Sequence, residues 1–192
     1  KDNDQSGKGQ VVVSTISGTS VSHGTVADIG SVAVGSILRI DYDATLDKFL
    51  IVYIDSDDSD KGKAVVGTLS GTSVSFGSIA TFNDAATLAP SVTSDGSGNF
   101  LVSFTDDANS DRKTFLSATV SGTSVSFGSE VVIEDVDADD PSSTPLSEMA
   151  YDSANNKFVI PYYDFTNTKL KAAVLQLAST NLTSENYIGI AR

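Results

Sequence analysis

Short apolar runs separated by polar turns make up this chain of 192 residues. The runs at 11–16, 64–69 and 115–120 are six residues long and mostly apolar, as expected for β-strands bounded by turns. Gly, Ser, Asp and Asn cluster between the runs, and these residues favour tight turns. The pattern therefore predicts an all-β chain.

The apolar runs recur in a fixed order around one repeated phrase. The phrase SGTSVS, followed by His or Phe and then Gly, occupies 17–24, 70–77 and 121–128, so that successive copies begin 53 and 51 residues apart. Repeats of this length are typical of β-propeller blades and related β-arrays. We predict antiparallel four-stranded repeats of about 50 residues that form propeller blades, with an open β-array or a β-sandwich as the alternatives.

Each unit contains four predicted strands. The first leads into the Ser-Gly-Thr-Ser turn, the second is interrupted by a Gly that indicates a bulge or a close backbone approach, and a loose connection such as 83–86 precedes the third. The fourth strand begins on Phe49, Phe100 or Phe158. The predicted units are 11–60, 61–111 and 112–168. We interpret 1–10 as the end of a preceding unit and 169–192 as a partial fourth unit that leads into a further C-terminal region.

Two details favour blades over a sandwich. Pro161 interrupts a fourth strand, and proline is tolerated at a sheet edge, which in a blade is the outer strand. The first strands carry small residues at one matched position, Ser14, Gly67 and Ala118, as expected for inner strands that converge on a crowded axis.

Charge narrows the possible partners. The chain has 12 Lys and Arg against 25 Asp and Glu, a formal net charge of −13, and its basic residues are scattered. Nucleic-acid binding requires clustered cations that displace counterions from phosphates, so we exclude DNA, RNA and insertion into membranes. The chain has no cysteine, which removes disulfides and thiolate sites.

Acidic loops after the fourth strands are the clearest candidate sites. Asp and Asn alternate there as oxygen ligands do in calcium loops, although no loop keeps the EF-hand Gly and distal Glu. We predict no cofactor, with calcium as the alternative, and solvated turns compete with that reading. The candidate metal ligands are Asp2, Asp4, Asp55, Asp57 and Asp106. The candidate binding residues of the variable loops are Asp58, Asp107, Asp137, Asp139 and Phe165.

The residues of this sequence give little support for a catalytic function. His23 is the only histidine, and it occupies the position of Phe76 and Phe127, which favours packing over general-base catalysis. We therefore predict a protein that is not an enzyme and has no catalytic residues. Sugar binding would use tyrosine faces, although their strand positions favour packing. The candidate tyrosines are Tyr42, Tyr53, Tyr151, Tyr162 and Tyr163.

Three phrases carry a resemblance to a known family: GTLSGTSVSFG at 67–77, AYDSANNKFVI at 150–160 and NLTSENYIGIA at 181–191. They resemble the repeat segments of virion structural and tail-fibre-like proteins of marine bacteriophages. The resemblance implies a structural or adhesive module of a phage particle, located on the virion or outside the cell. Its partners would be other copies of itself, other virion proteins, or a glycan or protein of the host surface.

The alternative is an extracellular carbohydrate-binding or carbohydrate-active propeller of a bacterium. In either case the variable loops are expected to carry recognition, because a scaffold of repeated strands holds them.

Overall fold

The computed structural model describes residues 7–137, 148–164, 167–178 and 181–182. They form antiparallel β-strands and one short 3₁₀ helix at Asp107–Asn109. The strands are β1 (Lys8–Val11), β2 (Ser14–Ser17), β3 (Ser20–His23), β4 (Ala27–Asp43), β5 (Lys48–Asp55), β6 (Lys61–Ser70), β7 (Ser73–Phe76), β8 (Ala80–Ser94), β9 (Asn99–Asp106), β10 (Arg112–Ser121), β11 (Ser124–Phe127), β12 (Val131–Asp137), β13 (Ala150–Asp152), β14 (Lys157–Asp164), β15 (Lys169–Leu175), β16 (Leu177–Ala178) and β17 (Asn181–Leu182). The all-β prediction is confirmed, and none of the sheets formed by these residues closes on itself.

Two long strands connect the sheets. Residues Ala27–Ala33 of β4 pair with β1, and Val34–Asp43 pair with β5. In β8, Ala80–Ala86 pair with β6, and Thr87–Ser94 pair with β9. The loose connection that the sequence predicts at 83–86 is therefore wrong, since those residues continue β8 without a break.

The molecule is best described as four layers. The first layer contains β1, β2, β3 and the first half of β4, and the second contains the rest of β4 with β5, β6, β7 and the first half of β8. The third layer contains the rest of β8 with β9, β10, β11 and β12. The fourth contains β13, β14 and β15.

An apolar cluster fills the space between each pair of neighbouring layers. Ile29 and Val34 meet Phe49, Ile51 and other residues between the first and second layers. The second and third layers share Leu50, Val52, Phe100, Val102, Leu116 and others, and the third and fourth share Leu101, Phe115, Phe158, Ile160, Leu175 and others. Neighbouring residues of one strand thus belong to opposite clusters, so both faces of the inner layers are buried.

The hydrogen-bonded layer and the sequence repeat are out of phase. A layer takes the third and fourth strands of one unit and the first and second strands of the next, for example β8, β9 and β10 in the third layer. The predicted unit boundaries at 60/61 and 111/112 therefore fall at hairpins inside layers. The sequence shows the length of the repeat but not which four strands pair in one layer, because a unit can be started at any point along the repeat.

The repeated phrase holds successive layers together. The predicted break in the second strand is confirmed at Gly24 and Gly77, which lie between short and long strands. A methyl group added to Gly24 would lie 2.0 Å from the carbonyl oxygen of Thr72, and one added to Gly77 would lie 1.7 Å from that of Thr123. The turn of each phrase is thus packed on the glycine of the phrase before it.

The two details that favoured blades have different explanations. Pro161 is not on an edge strand, since β14 pairs with β13 and with β15. The pairing of β14 with β13 ends at Val159, so Pro161 has no β13 residue paired with it on that side. The first strands are not inner edges either, because β6 and β10 pair on both sides.

The small residues of the first strands are explained by aromatic neighbours. Gly67 is paired with Phe49 on one side and Phe76 on the other, and an added Cβ would lie 2.0 Å from the Phe49 ring. Ala118 lies in the same way between Phe100 and Phe127. A small residue here lets two aromatic rings pack across one strand.

Both long strands bend where they pass from one layer to the next. The register of β4 shifts between Val34 and Leu38, and that of β8 shifts between Leu88 and Ser91. Ala89, directly before a proline, has a φ of 45°, a left-handed conformation that is rare outside glycine. A bulge of this kind bends a strand and increases its twist.

Candidate functional site

The acidic loops begin on aspartates that cap turns. Asp55, Asp106 and Asp164 occupy matched positions at the ends of β5, β9 and β14, and all three are buried. Asp55 Oδ1 accepts from the Asp57 amide at 3.2 Å, and Asp106 Oδ1 accepts from the Ala108 amide at 3.1 Å. These contacts are Asx turns, which give aspartate a structural reason to recur at this position.

Asp164 is the most heavily engaged of these caps. It accepts from the amide of Asn167 at 3.0 Å and from the Asn167 side chain at 2.8 Å, and it pairs with Lys171. Burial acts to raise the pKa of the carboxyl, but the hydrogen bonds from Lys171 and Asn167 outweigh it and the pKa is lowered. The carboxylate is therefore held in place as a structural group.

Lysines neutralise the loop between β5 and β6. Asp58 contacts Lys63 at 2.6 Å and Lys61 at 3.1 Å, and Lys61 also contacts Asp84 at 2.9 Å. The hydrogen bonds from Lys63 and Lys61 lower the pKa of Asp58. A cation that bound this carboxylate would first have to displace two ammonium groups.

The described residues do not bring the predicted calcium ligands together. Asp57 is exposed, and the described residues contain no group of three or more His, Asp or Glu side chains that could hold a metal ion. Asp2 and Asp4 lie outside the described residues, where the calcium alternative stays a prediction.

The predicted binding loops are only partly described. Asp107 is exposed and begins the 3₁₀ helix after β9. Asp137 ends β12, with its backbone in register with Arg112. Asp139 and Phe165 lie outside the described residues. The loops 55–61 and 106–112 each join a fourth strand to the following first strand, so they lie at the same end of successive layers.

A cleft opens at the other end, between the third and fourth layers. Its volume is about 450 Å³. The turn at 95–99 forms one wall, the turn at 152–156 forms the other, and residues of β10 lie between them. The lining includes Asp95, Asn99, Ser117, Thr119, Tyr151 and Asn156.

Local hydrogen bonds hold the polar groups of the cleft. Asp95 accepts from the amides of Ser97 and Asn99 at 2.7 and 3.1 Å and from the Asn99 side chain at 2.9 Å. Tyr151 donates its hydroxyl to Asn156 Oδ1 at 2.8 Å and packs its ring against Phe158. Burial, followed by the charges of Asp95 and Asp152, raises the pKa of Tyr151, so its hydroxyl remains a proton donor at neutral pH.

The equivalent position between the second and third layers is bridged by hydrogen bonds. Asp43 is fully buried there and accepts from the Ser94 hydroxyl at 2.7 Å and the Gly98 amide at 2.9 Å. Thr45 donates to the carbonyl of Gly96 at 2.6 Å. Asp95 occupies the position of Asp43 in the next unit, but it bonds within its own turn, to Ser97 and Asn99. Without that bridge, the two turns lie apart and a cleft forms.

The other residues singled out from the sequence lie elsewhere. His23 is exposed and bonds to Ser14 at 2.8 Å, so the prediction of aromatic-like packing is wrong for this position. Tyr53 and Tyr162 are fully buried, whereas Tyr42 is exposed and Tyr163 half-buried. Of the five candidate tyrosines, Tyr151 is the one that lines the cleft.

A second, shallower groove of about 320 Å³ is lined by the third strands of all three units. It contains residues 39–41 of β4, residues 91–93 of β8 and residues 148–151. Thr93 donates to the carbonyl of Met149 at 3.3 Å, and the Ser94 amide donates to Asp41 at 2.7 Å. The third strands therefore lie side by side.

Comparison with known proteins identifies no relative, since no family model, curated protein or solved structure matches the chain. In the part of the chain that the structure describes, no helix is long and apolar enough to cross a membrane.

Proposed function

We propose that this chain is a non-enzymatic structural or adhesive module of a bacteriophage particle, such as a tail fibre, which displays variable loops on a rigid β scaffold. The observation that carries the proposal is the placement of loops 55–61 and 106–112 at the same end of layers whose faces are buried against each other. A scaffold of this kind tolerates changes in its loops, because the core does not depend on them. The resemblance of the repeat phrases supports the virion as the location.

The architecture proposed with this function is a set of propeller blades. Its support is the shallow groove, where the third strands of three successive units come together and would line the axis of a curved array. A ring would place these strands inside and the second strands outside. Electron microscopy of the purified protein tests this, and a straight rod of stacked sheets would contradict it.

Immunogold labelling tests the location on the particle. Antibodies raised against the purified chain are expected to label the appendages of intact particles of the phage that encodes the chain. Labelling of uninfected bacterial cells instead would contradict the virion proposal and favour a bacterial protein.

Loop exchange tests the adhesive part of the proposal. Replacing 55–61 with the sequence of 106–112 is expected to leave the melting temperature nearly unchanged and to alter attachment of the particle to its host. The matched control replaces the exposed turn at 17–20, which lies at the opposite end of the layers and outside the cleft. Unchanged attachment after exchange of both acidic loops would contradict recognition by this end.

The cleft between the third and fourth layers supports a second candidate function, the binding of a carbohydrate. A half-buried tyrosine ring surrounded by hydroxyl, amide and carboxylate groups is a suitable surface for a sugar, which offers an apolar face and many hydroxyl groups. On a glycan array the chain is then expected to bind a restricted set of neutral sugars. Tyr151→Ala would abolish that binding, whereas Tyr42→Ala would not. Tyr42 is the matched control, because its hydroxyl bonds to Asp47 as that of Tyr151 bonds to Asn156.

A further inference from the structure

The outer face of the fourth layer is apolar and exposed. Because Phe158 and Ile160 point into the cluster shared with the third layer, Val159 and Pro161 point the opposite way. In β15, Leu170 and Ala172 share this outer face, and Leu170 is 65% exposed. We call these four residues the C-terminal face.

The equivalent faces of the second and third layers are covered. Val159 matches Leu50 and Leu101, which both have 0% exposure, and Ala172 matches Ala64 and Phe115, which are also fully buried. In each case the next layer covers the face. The repeat thus shows what fits a face of this kind, namely the opposite face of another layer.

The first layer presents an uncovered face of that opposite kind. Val12 is 43% exposed, whereas its matched residues Val65 and Leu116 are 0% and 1% exposed. Ile16 is 74% exposed, against 36% and 7% for the matched Leu69 and Val120. Val21, also exposed, matches Val74 and Val125, which pack on the apolar clusters. Val12, Ile16 and Val21 form what we call the N-terminal face.

We propose that the chain binds a second copy of itself head to tail, with the N-terminal face of one copy packed on the C-terminal face of the other. The contact would repeat the packing of the second layer on the third, in which apolar residues of both layers interdigitate. Such a contact is heterologous, because each copy uses a different surface, and it can continue into a ring or a filament. This inference depends on the layers alone and not on the virion location or the sugar.

Net charge sets the conditions under which the contact forms. Each copy carries a formal charge of −13, so two copies repel each other at low ionic strength. Salt screens that repulsion, and the hydrophobic contact is not weakened by it. Self-association is therefore expected to become stronger as salt is added, the opposite of an interface made of ion pairs.

Two variants that each disable one face provide the test. Leu170→Glu combined with Val159→Glu alters the C-terminal face, and Ile16→Glu combined with Val21→Glu alters the N-terminal face. All four positions are exposed, so both variants are expected to fold, which circular dichroism and thermal melting check. The matched control is Ile40→Glu, an exposed apolar residue of the second layer that belongs to neither face.

Sedimentation velocity at physiological salt measures the outcome. The wild type and the control are expected to form dimers or larger species, and each face variant alone is expected to be monomeric. An equimolar mixture of the two face variants is expected to form a dimer of one copy of each and nothing larger, because one intact face of each kind remains. A wild type that stays monomeric would overturn the proposal, as would assembly of either face variant alone or a mixture that does not associate.

Discussion

Gly77 lies directly against the backbone carbonyl of Thr123, with no room for a side chain between them. The same contact joins Gly24 and Thr72 one unit earlier. Each partner is part of the repeated phrase, so the glycine and the turn of the phrase are both used at the first two boundaries between layers.

Gly77→Ala is therefore expected to destabilise the fold by about 1–3 kcal/mol, since overpacking against backbone forces the layers apart. Gly24→Ala is expected to behave in the same way. Urea unfolding measures both effects, with Ser75→Ala as the control at an exposed position of the same strand. A Gly77→Ala variant as stable as the control would show that the turn of the next phrase can move away without cost.

The packing of Phe49 on Gly67 gives a second prediction. Gly67→Ala is expected to cost about 1–3 kcal/mol, because the new methyl group occupies the space of the Phe49 ring. Phe49→Leu removes the ring, so the double variant is expected to be more stable than the sum of the two single effects. A double-mutant cycle measures this coupling. If the destabilisation of the double variant equals the sum of the two single effects, direct contact between residues 49 and 67 is contradicted.

Asp43 gives a prediction about acid. It is fully buried, and although burial acts to raise its pKa, hydrogen bonds from Ser94, Leu46, Gly98 and Thr45 lower it overall. Its carboxylate therefore stabilises the fold above its unfolded pKa of about 3.9, and the contribution is lost as the pH falls through the folded pKa.

Asp43→Asn is accordingly expected to cost about 1–3 kcal/mol at neutral pH and progressively less below about pH 4. Urea unfolding at several pH values measures this. Asp57→Asn is the control, because Asp57 is exposed. A destabilisation by Asp43→Asn that did not change with pH would contradict a role for the charge.

Asp58 and Lys63 give a prediction about the acidic loop. Because the hydrogen bond from Lys63 is the largest cause of the lowered pKa of Asp58, Lys63→Met is expected to raise that pKa. NMR titration of the aspartate side chains measures the shift. Lys48→Met is the control, since Lys48 contacts Thr68 and not a carboxylate. An unchanged pKa of Asp58 in the Lys63 variant would show that Lys61 alone neutralises the loop.

Local patterns predicted the strands of this fold well. The aromatic start predicted for each fourth strand lies within one residue of the observed start of β5, β9 and β14. The glycine interruptions were also predicted, because a break in an apolar run is visible in the sequence itself.

The arrangement of strands in layers was harder to predict. The sequence at 83–86 contains Asn and Asp, which favour turns, yet pairing with β6 keeps it extended. Pro161 predicts an edge strand, but β14 is a central strand whose pairing with β13 ends at Val159. A proline is tolerated there because a central strand can lose its pairing on one side along part of its length. Pairing between distant strands decides both points, and a local pattern does not contain it.

The candidate site depended on a difference between repeats. Asp43 and Asp95 occupy the same position, but Asp43 bonds to the next layer and Asp95 to its own turn. Tyr151 was a candidate from its residue type, whereas Asp95 and Asn99 gave no signal as cleft residues. The acidic loops attracted attention by composition, but Asp55, Asp58, Asp106 and Asp164 are already engaged by amides or lysines.

The bend near Ala89, together with its counterpart between Val34 and Leu38, has an architectural consequence. The layers have no flexible linker at these points, so the angle between neighbours is set by a few backbone dihedrals in a continuous strand. A change of a few degrees there would add up over every repeat of a longer array. The curvature of such an array thus depends on the residues of these two bends, and some of them, such as Val34 and Ala89, are buried in the core.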